Sequence, residues 1–244
     1  MPADDRIHIG TSGWSYEHWL GPFYPQELGS ARMLAYYADR FRTVEINNSF
    51  YHLPSEKSLR GWGGTVGEDF IFAVKASRYI THMKKLKDPE IPVTTFLERI
   101  ETLGPRRLGP ILIQLPPKWR CNTDRLRHFL DYLPKAHLYA FEFRNPSWFI
   151  EEVYDLLMGA GAAFCIYEIG GLLSPKAVTA DFVYIRLHGP DGAYQGSYPA
   201  ETLADWAAAI AAWVAEGKEV FCYFDNDQLG FAAQNAAQLQ EMFS

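Results

Sequence analysis

The chain has 244 residues, which suits one large domain or two small ones, and 48% hydrophobic against 21% charged residues is the balance of a globular protein with a substantial core. A formal net charge of −6 argues against non-specific nucleic-acid binding as its main task, since that calls for a basic surface. The three cysteines, Cys121, Cys165 and Cys222, show no C-x-x-C spacing, which argues against a disulfide framework or a zinc knuckle and leaves Cys165 and Cys222 as small buried hydrophobes.

The opening stretch "MPADDRIHIG" is acidic and enters a strand at once, without the basic and apolar regions of a signal peptide. No apolar run approaches the ~18 residues of a membrane span, so a soluble cytoplasmic protein is the expectation. "RIHIGTSG" reads as the first strand, followed by a helix capped by Ser30 and running to Phe41 with Met33, Leu34 and Tyr37 on one stripe. "TVEINNSF" is the second strand, and a helix is predicted near Ser55 to Val66, weakened by "GWGG". "DFIFAVKAS" is the third. Pro92 then opens a helix that Gly104 ends. "GPILIQLPP" is the fourth strand, with Thr123 capping its helix. "LYAFEFRN" is the fifth, with Ser147 capping the next. "AAFCIYEI" is the sixth, and its crossover "GGLLSPKAVTAD" is too irregular for a full helix. "FVYIRLHG", a helix over 199–216, "EVFCYFDND" and an Ala/Gln-rich helix complete the chain.

Eight strand patterns alternating with helix patterns mean βα units and a parallel sheet. In this length they fit an α/β fold of the (β/α)8 TIM-barrel type, one domain over residues 1–244, with the sixth helix reduced. The rival, a doubly wound open sheet, lacks a G-x-G-x-x-G after the first strand.

Alternation along the strands assigns Val44, Ile46, Val74, Ile113, Phe141, Phe143, Val183, Ile185, Leu187, Cys222 and Phe224 to the helix side. The interior then receives Glu45, Asn47, Lys75, Gln114, Glu142, Arg144, Arg186, His188, Tyr223 and Asp225. Barrel interiors are normally filled by branched apolar residues, and active sites occupy the C-terminal mouth. Buried charges are costly unless paired, so a purely structural set of ion pairs, Glu142 with Arg186 or Glu45 with Lys75, stands as the competing explanation.

Three loops adjoin this end. "SRYITHMKKLKD" carries Arg78, His82, Lys84, Lys85 and Lys87 and reads as a solvated basic loop or as a positive rim that draws an anion. "GTSGWSYEHWLGPFYP" holds Trp14, Tyr16, Trp19, Phe23 and Tyr24, as a plug over the mouth or a ligand wall. "HGPDGAYQGSYP" has glycines that allow close backbone approach where barrel phosphate sites often lie.

No nucleophile elbow G-x-S-x-G is present, and Ser12 beside His188 has no further support. Glu45, Glu142, His188 and Asp225 mix donors that a divalent metal accepts, but no cofactor is required, and Lys75, Arg144 and Arg186 at the same mouth suit an anion better. A Schiff-base role for Lys75 would need a depressed pKa. Glu45 and Glu142 stand three strands apart in the ring, which leaves a paired-carboxylate glycosidase geometry open.

The stretches "IGTSGWSYEHWLGPFYP", "VEINNSFYHLP", "FAVKASRYITHMKKL", "LGPILIQLPP", "FEFRNPSWF", "VYIRLHGP" and "YFDNDQLGFAAQNA", in order from Ile9 to Leu239, resemble the YecE-like family, domain of unknown function 72. The resemblance implies a TIM-type barrel and no established reaction. The positions it marks are Gly10, Thr11, Ser12, Trp14, Glu45, Asn47, Tyr51, Lys75, His82, Gln114, Glu142, Arg144, Arg186, His188, Gly189, Asn226 and Asp227. Asn48 stands where the family often has Thr, and Asp225 where it often has Asn, which adds a second acid.

The reading that follows is an enzyme of hydrolase or lyase type, or a ligand binder, acting on a small anionic, phosphorylated substrate. Glu45 or Glu142, His188 and Lys75 would be the catalytic set. Asn47, Trp14, Gln114, Arg144, Arg186, Asp225, Asn226 and His82 would bind substrate. The alternatives are an endonuclease-like nucleic-acid-processing protein, metal-dependent or not, and a non-catalytic sensor or partner-binding barrel.

Overall fold

In the computed structural model, which describes residues 4–243, the strand patterns of the sequence become a barrel. The N-terminal reading rests in part on residues 1–3, which lie outside the described residues. The strands are β1 (Ile7–Thr11), β2 (Thr43–Ile46), β3 (Ile71–Lys75), β4 (Leu108–Leu115), β5 (Tyr139–Phe143), β6 (Ala163–Ile169), β7 (Leu172–Leu173), β8 (Phe182–Leu187) and β9 (Glu219–Phe224). All but β7 run parallel, in the order β1-β9-β8-β6-β5-β4-β3-β2. The remaining seam, β1 to β2, is bridged just past β1, where Gly13 N donates to Glu45 O at 2.8 Å. This is the nearly closed, eight-stranded barrel expected from the alternation.

The crossover after β6 has no helix. β7 instead turns back antiparallel on the end of β6, with Glu168 opposite Leu173. Gly170 and Gly171, at φ 56° and 76°, make that reversal. The register between β3 and β4 shifts between Phe72 and Val74, beside Pro110, which has no N–H to give to the ladder.

The helices are α1 (Met33–Ala38), α2 (Glu56–Thr65), α3 (Glu90–Ile100), α4 (Thr123–Tyr132), α5 (Glu151–Ala160), α6 (Ala200–Ala215) and α7 (Phe231–Glu241). Several caps differ from expectation. Ser55, near which this helix was expected to begin, caps α2 by accepting from Ser58 N. Ser30, however, begins a single 3-10 turn ahead of α1 and caps nothing. Asn122, not Thr123, caps α4 by accepting from Arg125 N at 2.8 Å. Asn145 rather than Ser147 caps the turn Pro146–Trp148, and α5 starts later, at Glu151. In both places an Asn precedes the hydroxyl residue and its longer acceptor arm takes the cap. α3 starts at Glu90, two residues before Pro92, whose missing N–H falls in the first turn where no intrahelical partner exists.

Two cores result. The outer one, between strands and helices, contains every residue assigned to the helix side, from Val44 to Phe224. The inner one fills the lower barrel with Ala73, Leu112, Ala140, Ala163, Cys165, Phe182, Tyr184, Phe221 and Tyr223. Cys165 and Cys222 are buried and unpaired, as expected of small hydrophobes. No helix among the described residues is long and apolar enough to cross a membrane.

Candidate functional site

Above the inner core, the interior face turns from apolar to charged within one step along each strand. On β8 the inward series is Phe182, Tyr184, Arg186 and then His188. On β5 it is Ala140, Glu142 and then Arg144. Arg186, fully buried, is the hub. Its Nη2 lies 2.7 Å from Glu45 Oε1 and 2.9 Å from Asp225 Oδ2, and its Nη1 lies 2.8 Å from Glu142 Oε2. Of the two pairs the sequence suggested, Glu142–Arg186 forms, whereas Glu45 pairs with Arg186 instead of Lys75. The ring closes across the barrel, so a residue of β8 reaches β2 and β5 directly.

The carboxylates are saturated. Glu45 Oε1 also accepts from Ser12 Oγ, and Glu45 Oε2 accepts from Tyr184 Oη at 2.7 Å. Glu142 Oε1 accepts from Arg144 Nε. Burial pushes Glu142 and Asp225 up, but the adjoining groups overcome it and hold both below the ordinary carboxylate range: the Arg144 and Arg186 guanidiniums for Glu142, the Arg186 guanidinium and the His188 ring beside it for Asp225. For Arg186, burial opposes the charge and the three carboxylates more than restore it.

His188 is also fully buried. Its Nε2 is approached by Arg144 Nη2 at 2.7 Å and Arg186 Nη1 at 3.3 Å. Guanidinium nitrogens only donate, so Nε2 is the acceptor and the ring proton sits on Nδ1. That nitrogen faces Asp225 Oδ2 at 2.9 Å, in contact but off the line of a good hydrogen bond. The Tyr194 ring stands edge-on over the imidazole at 5.7 Å.

Lys75 differs from every other charged member. Its ammonium makes no hydrogen bond or ion pair among the described residues. Its Nζ rests 4.7 Å above the centre of the Phe50 ring, and Ser49 Oγ pins its carbonyl at 2.6 Å. Burial, with Arg186 adding repulsion, lowers Lys75 to about 8, although Glu142, Glu45 and Asp225 pull the other way. His82 lies on the other side of Phe50, with ring centres 5.0 Å apart, in a π-helical turn over Tyr79–Met83. Burial, Lys75 and Arg78 lower His82 to about 4, so its ring is neutral at pH 7. π-turns often mark functional positions. Asn47, one step past β2, has a buried Oδ1 without a partner.

The remaining expected residues are spread out. Gln114 stands beside Glu142 in the β4–β5 register and is half-buried. Trp14 packs edge-on against Trp62 of α2 at 5.0 Å, and lines a 360 Å³ cavity with Asn47 and Tyr16. Asn226 donates to Gly196 O and to Asn235 Oδ1, behind the mouth and away from the charged ring. A larger, 410 Å³ cavity lined by Leu53, Tyr79, Ile80 and Phe96 lies outside the ring; the charges, not cavity size, locate the site. The aromatic loop after β1 is mainly a plug: Trp19 and Tyr24 are fully buried, and Trp19 Nε1 donates to Asp227 at the entry to α7. Among the described residues no three His, Cys, Asp or Glu side chains are grouped to hold a metal ion, and the four donors once considered for one spend their atoms on each other and on arginine.

Two members escaped the sequence reading. Tyr184 follows from the same alternation as Arg186, two residues later, and could have been found by extending it backwards. Asn235 carries no strand signal. From α7 it accepts from Tyr198 N at 3.0 Å and Asn226 Nδ2 at 2.8 Å, which ties the loop after β8 to the barrel end.

Comparison with known proteins agrees with this architecture. The profile of the family described as "Protein of unknown function DUF72" matches residues 8–244. The UPF0759 protein YunF of Bacillus subtilis is 27% identical over 275 aligned positions, covering 97% of this chain and 94% of YunF. The UPF0759 protein YecE of Escherichia coli K12 is 35% identical over 156 residues, 64% of this chain and 54% of YecE. Among solved structures, a DUF72 family protein of Thermotoga maritima MSB8 superposes with a TM-score of 0.87 at 32% identity, covering 97% of this chain and 98% of that one. A DUF72 family protein of Enterococcus faecalis V583, at 22% identity and a TM-score of 0.79, shares the fold. With a family match over nearly its whole length and a barrel that superposes on that of a solved member, this chain belongs to the DUF72, YecE-like family.

Proposed function

We propose that the C-terminal mouth of this barrel binds and transforms a small anionic substrate, of the phosphorylated kind, with Lys75 as the group that meets it. The observation that carries this reading is the contrast between Lys75 and the rest of the charged ring. Arg186, Glu45 and Glu142 spend their charged ends on one another and on Arg144, Tyr184 and Ser12, leaving Arg186 Nε as the one buried atom of the three side chains without a partner, so they act as a fixed electrostatic frame. Lys75 is a half-buried amine that forms no ion pair among the described residues. Leaving a cation unpaired in such a place costs stability and gains the fold nothing, which marks it as reserved for a ligand. Asn47, Gln114 and the guanidinium edge of Arg144, 11% exposed, are further polar groups at the same end of the barrel strands. Asp225, 12% exposed at its side chain, is the carboxylate nearest solvent and the proton carrier.

The test is calorimetric titration with inorganic phosphate and with glycerol phosphate. Wild type should bind saturably, and Lys75→Met should bind at least ~10-fold more weakly, as for loss of a charge-assisted contact. Equal affinity of the two proteins, or no heat from either, removes the reading.

A second reading, nucleic-acid processing, draws on one feature. Lys84, Lys85, Lys87 and Arg125 surround Trp119 and Asn122 in a 300 Å³ surface cavity. Basic side chains about a partly exposed ring suit a stacked base and its phosphates. Single-stranded DNA or RNA binding that falls steeply with salt would support it.

A further inference from the structure

The Lys75 amine sits in a setting that is unusual for a mere anion contact. A lysine that serves as a point charge normally points into solvent on a flexible stem. Here the backbone is fixed on both sides, by the β2 and β4 ladders and by Ser49 Oγ on the Lys75 carbonyl. The stem runs up the barrel interior, and the ammonium is held over the Phe50 ring, itself braced edge-on by the neutral His82. Of the nine lysines in the chain, at 57, 75, 84, 85, 87, 118, 135, 176 and 218, this is the one on an inward strand position. The others lie on helices, loops or the edge of a strand.

We infer that Lys75 is a covalent nucleophile that forms an imine with an aldehyde or ketone substrate bearing an anionic group. The inference rests on the reading of the mouth as an anion site and adds the chemical class of its ligand. The chemistry balances within the site. The neutral amine nitrogen attacks the carbonyl carbon, and one N–H proton passes to the former carbonyl oxygen, giving a carbinolamine. The C–O bond then breaks. The hydroxyl leaves as water with a proton drawn from solvent at the mouth, and the nitrogen lone pair completes the C=N bond. No oxidant or metal enters.

Three features favour this step over simple charge pairing. The two fully buried carboxylates, Glu45 and Glu142, are occupied by Arg186, Arg144, Tyr184 and Ser12, and Asp225 spends Oδ2 on Arg186 and His188, so none forms a salt bridge with the ammonium. The amine, lowered to about 8 from 10.5, has a neutral fraction near pH 7 that is ~300-fold larger than that of a surface lysine. The surrounding negative charge of Glu45, Glu142 and Asp225 is placed to stabilise the iminium that the reaction creates. The anionic end of the substrate then falls to Arg144 and to the basic loop that begins at Arg78.

The experiment is reductive trapping. Racemic glyceraldehyde 3-phosphate is added to the intact protein at pH 7, borohydride reduces any imine to a stable secondary amine, and peptide mass spectrometry locates the adduct. The expected result is an adduct on the Lys75 peptide at least ~10-fold more abundant than on any other lysine. Lys75→Arg, which keeps the charge and removes the nucleophile, should lose this adduct while labelling of the surface lysines stays as in wild type. Equal labelling across the surface lysines, no adduct, or the same total labelling in Lys75→Arg overturns the imine. Phosphate binding by wild type without any adduct leaves the anion site standing and the imine refuted. A Lys75 adduct that forms equally with unphosphorylated glyceraldehyde, and is not suppressed by excess phosphate, supports the imine and refutes the anion site.

Discussion

Lys75 shows what one side chain can cost and what that cost is for. Its folded pKa, about 8, lies below the 10.5 of the free side chain. Between these two values the unfolded chain holds a proton that the folded chain has released, so folding stability rises with pH across that window. Below pH 8 both states are protonated and the full penalty of burying the ammonium applies. Lys75→Met removes that penalty. It should therefore be more stable than wild type at pH 7, by about 1–3 kcal/mol after allowance for relaxation of the site, and the difference should vanish as the pH approaches 10.5. Urea unfolding at pH 7 and pH 10 measures it. A destabilised Lys75→Met at pH 7 would show that the amine supports the fold and is not reserved for a ligand. Arg144 and Arg186, by contrast, are held by carboxylates, and there the same class of side chain is part of the frame. Composition alone does not separate these roles, because the sequence places Lys75 and Arg186 on equivalent inward positions. What differs is whether a partner stands opposite across the barrel, and that depends on ring order and tilt.

At the scale of the element, the strands were legible because their alternation is sharp. Val44, Glu45 and Ile46 in β2, or Phe141, Glu142 and Phe143 in β5, leave one choice of face. The loops were not, since Asn47 to Phe50 continues the pattern on paper but folds as a 3-10 turn that swings Phe50 beneath Lys75. Caps failed for the same local reason, where two adjacent polar residues compete for one set of free N–H groups. The β1–β2 seam carries its own device. A Cβ on Gly10 would stand 2.3 Å from Thr43 O and 3.0 Å from Tyr37 Oη. That hydroxyl accepts from Thr11 N at 2.9 Å and donates to Thr43 O at 3.0 Å, linking the two strands that share only a bridge past their ends. Gly10→Ala must push Thr43 away and break this link, so it should destabilise by about 1–3 kcal/mol, the range of an overpacked core. Thermal unfolding checks it. A change of under ~0.5 kcal/mol, the scatter of neutral surface substitutions, would mean that the seam yields freely.

For the whole molecule, the charged ring matters because its members come from distant parts of the chain. Arg186 on β8 joins Glu45 on β2, Glu142 on β5 and Asp225 after β9, so a single guanidinium ties four strands across the barrel's diameter. The sequence listed these residues, but not their pairing, since β2 and β8 are far apart in sequence and not neighbours in the sheet. Removing the hub tests the arrangement. In wild type, Glu142 and Asp225 sit below their ordinary values of 4.5 and 3.8, so the stability they contribute is complete above about pH 4.5 and is lost as the pH falls through their folded values. These two carboxylates therefore add no slope in wild type between pH 7 and pH 5, where His82, lowered to about 4 from the free 6.5, costs stability as the pH falls. In Arg186→Met the same carboxylates remain buried with less positive charge beside them, and burial then dominates and raises them. That variant should lose about 3–5 kcal/mol at pH 7, the cost of an uncompensated buried charge. It should recover part of the loss as the pH falls toward 5 and the carboxyl groups take up protons, the reverse of the wild-type slope. Urea midpoints at pH 7 and pH 5 decide it: a variant as stable as wild type at pH 7, or one with no gain at pH 5, would show that the ring is dispensable to the barrel and that its charges are held there by the ligand site alone.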